Sequence, residues 1–339
     1  MPVLLQLGPI PSSFDRLLCY QIKQKSIKMK INQLISKWPL FLALGAIVTF
    51  SSCEDDDDPV DNTITGKVVA DPNFSSLETA VVRAGLAGTL SGTGPFTVFA
   101  PDNAAFAAAG LTDAAINGTT PAALSTILLY HTIGARIAAA DVPAGPNAKV
   151  TTANGDSVFV TRNAAGVFVN GIRVTQANIE GSNGIVHKIG SVLQPPLGTT
   201  VQTAIAVSGG DNGLDSLVVA ITTAGIAGVL NSNILTVFAP TNKAFRDLLT
   251  ALTLTRISQI PLPTLTAVLT YHVRAGRAFS SDLANGPLAM FAGGNTTISL
   301  ASGATIRGNG NGGNASNIIR TNVVTRTGVV HLIDRVLLP

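Results

Sequence analysis

The chain has 339 residues, of which 46% are hydrophobic and only 12% charged, with two cysteines and a formal net charge of +3. The positive sign belongs to the N-terminus: residues 1–52 carry six Lys/Arg against one acid, and the remainder carries 16 basic against 18 acidic residues. There is thus no polybasic case for nucleic acid, and because the cysteines are Cys19 and Cys53, everything past Cys53 must hold together by core burial without disulfides or thiolate metal sites.

The first 53 residues read as an export region. Lys28, Lys30 and Lys37 precede an apolar run over residues 38–50, too short to span a bilayer and suited to the hydrophobic part of a signal. The run ends in Phe50-Ser51-Ser52-Cys53. Small residues before a Cys at that point resemble the lipobox of bacterial lipoproteins, in which the Cys is acylated and becomes the mature N-terminus, although Phe50 departs from the usual Leu. A plain secretory signal with an incidental Cys is the alternative. A signal starting at Met29 has ordinary length, so residues 1–28 read as an over-called start. The segment 54–61 opens with five acids, Glu54 to Asp58. It reads either as a solvated linker or, by resemblance, as the acidic signal that some Gram-negative lipoproteins carry for display on the outer face.

Residues 62–339 read as a tandem duplication. The four histidines fall into matched pairs, His131 with His272 and His187 with His331, and the members of the first pair each follow a tyrosine, Tyr130 and Tyr271. Thr97-Val-Phe-Ala-Pro-Asp-Asn-Ala-Ala-Phe106 recurs as Thr236-Val-Phe-Ala-Pro-Thr-Asn-Lys-Ala-Phe245, and Gly184-Ile-Val-His187 as Gly328-Val-Val-His331. The offset stays between 139 and 144 residues, which is the size of a globular domain and not of a solenoid repeat. The expected domains are 62–197 and 198–339, joined by the stiff Gln194-Pro-Pro-Leu-Gly198.

Within each copy the elements are expected in the order helices, then strands. Ser75 with Glu78 forms a capping box, Leu77, Ala80, Val81 and Ala84 give a helical face, and Gly85 ends it; Asp215 and Gly225 do so in the second copy. Residues 97–100 form a short strand closed by Pro101. Asp102 or Asn103 caps the next helix, in which Phe106 turns to the core, with Thr241 and Asn242 as the counterparts. Thr120-Pro121 starts a helix carrying Leu124, Ile127 and Leu128 and ending near Tyr130-His131. Residues 157–161, 167–169, 172–176 and 185–193 come next as strands separated by Asn-Gly and Gly-Ser-Asn-Gly turns. Residues 308–317 read as a loop or hairpin tip. The fold class is α+β.

The Thr-Val-Phe-Ala-Pro-x-Asn-x-Ala-Phe motif, then Tyr-His, then Gly-x-Val-His-x-Ile and a terminal Val-Leu-x-Pro resemble the fasciclin (FAS1) domain, in that order and twice over, across 62–339. The resemblance implies for each copy a wedge-shaped β-sandwich of about seven strands with several packed helices. It also implies extracellular adhesion or ligand binding without catalysis, often near Tyr-His, which carries over to Tyr130, His131, Tyr271 and His272. The framework residues it implies are Thr97, Phe99, Pro101, Asn103, Phe106 and His187, matched by Thr236, Phe238, Pro240, Asn242, Phe245 and His331. Asp334 completes the second set; Gly190 stands in its place in the first.

Structural roles compete with these functional ones. His187 and His331 lie in β-branched runs and read as hydrogen-bonded core residues, whereas His131 and His272 sit where an imidazole can cap a helix C-terminus. Tyr130 and Tyr271 suit either burial with an anchored hydroxyl or aromatic contact with a sugar. No metal-ligand, Walker or nucleophile-elbow spacing is present, so no cofactor and no metal are expected. Residues 283–333 contain no acid, which removes calcium from the Asn/Gly loop. The expectation is an exported outer-membrane lipoprotein, displayed on the cell surface if the acidic run acts as a signal, held to the membrane by a lipid on Cys53 and binding an extracellular protein or polysaccharide. A glycan-binding component of a surface polysaccharide uptake system is the first alternative and an unrecognised hydrolase the second; the sequence carries no signal for an oligomeric state.

Overall fold

The computed structural model describes residues 61–339 apart from Pro146 and Ser302; the signal region, Cys53 and the acidic run lie outside the described residues. Among the described residues no helix is long and apolar enough to cross a membrane.

The first copy runs α1 (Ile64–Ala70), α2 (Ser75–Arg83), α3 (Ala87–Ser91), β1 (Phe96–Pro101), α4 (Asn103–Ala108), α5 (Asp113–Gly118), α6 (Pro121–Tyr130), β2 (Thr132–Ile133), β3 (Ala148–Thr151), β4 (Ser157–Asn163), β5 (Gly166–Val169), β6 (Ile172–Gly181) and β7 (Gly184–Ile189). The second follows the same order, with a 3-10 turn over Ile257–Gln259 in place of α5: α7 (Thr200–Ala206), α8 (Asp215–Ala224), α9 (Ala227–Ser232), β8 (Leu235–Pro240), α10 (Asn242–Ala251), α11 (Leu262–Tyr271), β9 (Val273–Ala275), β10 (Gly286–Ala289), β11 (Asn295–Ser299), β12 (Thr305–Arg307), β13 (Ser316–Thr325) and β14 (Gly328–Ile333).

Each copy has one seven-stranded sheet, β2-β1-β7-β6-β5-β4-β3 and β9-β8-β14-β13-β12-β11-β10. The β1/β7 and β8/β14 pairs are parallel and the other neighbours antiparallel. The long strands β6 and β13 carry register breaks, between Val174 and Ile179 and between Ile318 and Val323. A bulge bends its strand and strengthens its twist, so the sheet can fold over an inner core. Asn178 and Asn322 take the left-handed conformation these bulges need, at φ 58° and 61°. Each then accepts an N–H from the segment following the first sheet edge, Ala139 N at 3.0 Å and Ser280 N at 2.8 Å.

Successive strand residues point to opposite faces, and β1 shows what that alternation does here. Val98 and Ala100 join Leu77, Val81, Phe106, Leu124 and Val186 under the helices, whereas Phe99 packs with Val158, Val160, Val169 and Ile189 between the two limbs of the sheet. β8 divides Val237 and Ala239 from Phe238 in the same way. Each copy thus owns a helix-facing core and a sheet-facing core. A further cluster, Phe159 with Phe279, Val324 and Val329, joins the copies.

Several local expectations are corrected. Ser75 and Asp215 are not N-caps: α2 and α8 begin at these residues with Phe74 and Leu214 before them and no side-chain cap from those positions. The free N–H groups are met from the neighbouring motif, Ser76 N by Asn103 Oδ1 at 3.0 Å and Ser216 N by Asn242 Oδ1 at 2.8 Å. Asp102 and Thr241 cap the motif's own helices. Strand β6 reaches Gly181, well past residue 176, because the bulge interrupts the apolar alternation without ending the pairing. Conversely β7 stops at Ile189, since Val192 and Leu193 leave the sheet for the core. The Asn/Gly loop contains a short 3-10 turn over Asn309–Asn311, and Ser316 and Asn317 already belong to β13. Strands β2 and β3 have no alternation long enough to mark them.

Candidate functional site

The paired Tyr-His residues end α6 and α11. In α6, Thr120 accepts the Ala123 N–H and Pro121 occupies the first turn. The last helical residue, Tyr130, donates its hydroxyl to Ser157 O at 3.0 Å and accepts Asn170 Nδ2 at 3.0 Å. Burial pushes its pKa up to about 12, opposed by that Asn170 hydrogen bond. Tyr271 donates to Asn295 O and accepts Asn309 N.

The imidazoles that follow are fixed at both nitrogens. His131 Nδ1 lies 2.8 Å from Ile127 O, and its Nε2 accepts Leu193 N at 2.9 Å. His272 repeats this with Val268 O at 2.7 Å and Leu337 N at 2.8 Å. A carbonyl on Nδ1 and an N–H on Nε2 define a neutral ring protonated at Nδ1. Burial lowers both pKa values to about 4, against the opposing pull of those carbonyls. In the second motif His187 is held at both nitrogens, its Nδ1 accepting Asn178 N at 3.3 Å, whereas the buried Nδ1 of His331 has no hydrogen-bond partner. His187 and His331 hold Ile137 O and Ala278 O through Nε2 at 2.8 and 2.9 Å and stack on Phe99 and Phe238 with centroids 5.6 and 5.4 Å apart.

These four candidates are therefore placed differently from a contact surface: Tyr130, His131, Tyr271 and His272 are 0–3% exposed, so none meets a partner directly, and the imidazoles serve the helix ends as neutral donors without a cation for the dipole. The rest of the motif forms the frame around them. Thr97 and Thr236 donate to Ala135 O and Gly276 O and accept Ile137 N and Ala278 N. Pro101 and Pro240 close the parallel pairs opposite Ile189 and Ile333, and Phe106 and Phe245 are buried. Asp334 accepts Ser316 Oγ, Asn317 N and Asn317 Nδ2, pinning the start of β13; Gly190 cannot do so in the first copy.

What the repeat does not predict is the junction between copies. Arg277 lies over the Phe159 ring with its guanidinium carbon 3.8 Å from the centroid, and it donates to Gly328 O and Thr325 O at 3.3 Å each. Burial lowers its pKa to about 10, which leaves it cationic at neutral pH. The matching Arg136 instead pairs with Glu180 on the surface at 2.7 Å. Asn147 Nδ2 reaches Asp282 Oδ2 at 2.7 Å, and Asn163 Nδ2 reaches Ser281 O at 3.3 Å. Above these contacts lies an open cleft of ≈ 380 Å³ whose lining includes Arg162, Arg274 and Arg277. One sequence signal exists. Val158-Phe159-Val160 places an aromatic on the outward position of an alternating strand, where the second copy has Thr297.

Two α+β domains in tandem, each built on the same strand-capped Tyr-His frame, define the class. The family profile described as Fasciclin domain matches residues 72–195 and 212–339, and the chain belongs to that family. It is 37% identical over 137 residues to Protein sll1483 of Synechocystis sp., covering 40% of this chain and 74% of that protein. It is 30% identical over 256 residues to human periostin, covering 74% of this chain and 29% of periostin. With pig transforming growth factor-beta-induced protein ig-h3 the identity is 34% over 138 residues, 41% of this chain and 20% of that protein. The chain thus spans only a fraction of the animal relatives it matches. Among solved structures, the FAS1 domain pair of the insect cell adhesion molecule Fasciclin I aligns over 81% of this chain and 96% of its own, at 19% identity and TM-score 0.39. Fasciclin-domain proteins act in cell adhesion and ligand binding.

Proposed function

We propose that this chain is an exported, lipid-anchored, non-catalytic binding protein that holds its two fasciclin domains at the outer membrane, with an extracellular protein or polysaccharide as partner. The observation that carries the non-catalytic part is the burial of every histidine. Each imidazole is 0–2% exposed and bound to a backbone carbonyl of its own domain, so none is open to a substrate as a general base must be. Anchoring rests on Ser51-Ser52-Cys53 and the apolar run before it. The uptake-system reading is favoured by one feature, the arginine-lined cleft at the junction.

Replacing Cys53 by Ala should leave both domains folded and move the protein from the membrane to the soluble fraction, because the acyl chains that hold it are gone. Retention of the variant in membranes after carbonate washing counts against lipidation. The binding half is tested on an array of matrix proteins and glycans at two salt concentrations. Capture without chemical change to the captured molecule is expected; turnover of any substrate that survives purification contradicts the non-catalytic reading.

A further inference from the structure

The junction cleft combines three features. Arg162, Arg274 and Arg277 line it together with one carboxylate, Asp282. Among the described residues none of these three arginines has a carboxylate within salt-bridge distance. Asp282 is occupied instead by neutral donors: Oδ2 takes Asn147 Nδ2 at 2.7 Å and Phe279 N at 2.8 Å, and Oδ1 takes Ser281 Oγ at 3.2 Å. The cleft therefore carries unbalanced positive charge, in guanidinium form, which suits bidentate recognition of a carboxylate.

The third feature is an acceptor without a donor. Both groups facing the Asn147 nitrogen, Asp282 Oδ2 and Arg277 O, are acceptors, so the amide cannot be flipped. Its Oδ1 is then left buried with no hydrogen-bond partner. A buried acceptor left unmet is costly, and what it lacks is a hydroxyl or N–H. The volume of ≈ 380 Å³ is that of a small-ligand pocket.

We infer that the cleft between the two domains is a binding site for an acidic saccharide, its carboxylate held by Arg162 and Arg274 and a ring hydroxyl donated to Asn147 Oδ1. Arg277 is the structural member of the trio: stacked on Phe159 and tied to Thr325 O and Gly328 O, it closes the floor and adds charge. Carboxylate and hydroxyl donor together separate such a sugar from a bare inorganic anion, which offers no donor, and from a neutral sugar, which offers no charge. The inference rests on the proposed binding role and adds its ligand class.

The test is calorimetric titration of the purified full chain with tetragalacturonate, maltotetraose and sodium sulfate. Tetragalacturonate should bind, more weakly as salt rises; maltotetraose should not, and sulfate should bind at least about tenfold more weakly. Arg162→Gln and Arg274→Gln, both at accessible positions and checked by an unchanged melting temperature, should each weaken tetragalacturonate about tenfold. Asn147→Ala should narrow the gap between tetragalacturonate and sulfate. The site assignment is overturned by equal binding of maltotetraose, by sulfate as tight as the acidic sugar, by undiminished binding to the two arginine variants, or by no tetragalacturonate binding at millimolar concentration. If that happens while the array of matrix proteins and glycans still captures a partner, the binding role stands and only the cleft falls.

Discussion

At position 131 an imidazole joins two parts of the fold that have no other reason to meet: the last turn of α6, through Ile127 O, and the departing chain, through Leu193 N. It can do so only while neutral, and the same holds for His272 between Val268 O and Leu337 N. His131, His272 and His331 have pKa values lowered to about 4 by burial. In the unfolded chain they titrate near 6.5, so between these values the unfolded state binds protons that the folded state refuses. Stability is accordingly complete above about pH 6.5 and is lost as pH falls toward 4, by about 3 kcal/mol for each such group. Because a domain has only about 5–15 kcal/mol in all, urea denaturation at stepped pH should show cooperative unfolding moving to sharply lower urea below pH 6. A midpoint unchanged between pH 7 and 5 contradicts the buried, neutral assignment. The neutral tautomer was beyond the sequence, where a helix-terminal His reads as easily as a cation; only the partner Leu193, 62 residues away, decides it.

At the scale of elements, periodicity revealed what local chemistry dictates. The helix ending at Tyr130, the Pro101 strand end and the Gly85 and Gly225 stops, at φ 72° and 68°, each follow from a residue acting on its own neighbours. The bulged strand β6, the two-residue β2 and the caps supplied by Asn103 and Asn242 do not, because their partners are distant in the chain. The Asn170-Gly171 turn shows both levels at once. Its φ values of 49° and 73° are those of a hairpin turn that joins β5 to β6 and matches their twist. A Cβ on Gly171 would also lie 2.6 Å from Phe279 Cβ and 2.8 Å from Asn322 Nδ2, in the other copy. Gly110 has the same backbone, φ 72°, with nothing within 4 Å of such a Cβ. Gly110→Ala should therefore cost about 1 kcal/mol of strain alone, and Gly171→Ala about 2–4 kcal/mol through strain plus crowding. Chemical denaturation of the two variants measures the difference, and equal losses show that the copies do not press on one another at Gly171.

At the scale of the molecule, one ancestral plan does two jobs. The frame is repeated almost residue for residue, and the differences gather at the junction: Phe159 against Thr297, Arg277 under an aromatic against Arg136 in a surface ion pair. Each copy keeps both of its own cores, so residues 62–197 and 198–339 should each melt cooperatively when produced alone. Each loses the Phe159–Phe279 contact, at 6.0 Å between centroids, and the Asn147–Asp282 bond, so both should melt below the whole chain. Duplication made the fold legible from its motifs, but a site assembled from different parts of the two copies leaves no repeat to find. If the repeated Tyr-His motif is framework and binding belongs to the junction, the two copies must be joined for a partner to be held. Array capture by the whole chain, by each folded half and by their equimolar mixture decides between these roles. Capture by the whole chain alone is the expected result; a single half that captures as strongly as the whole chain contradicts it.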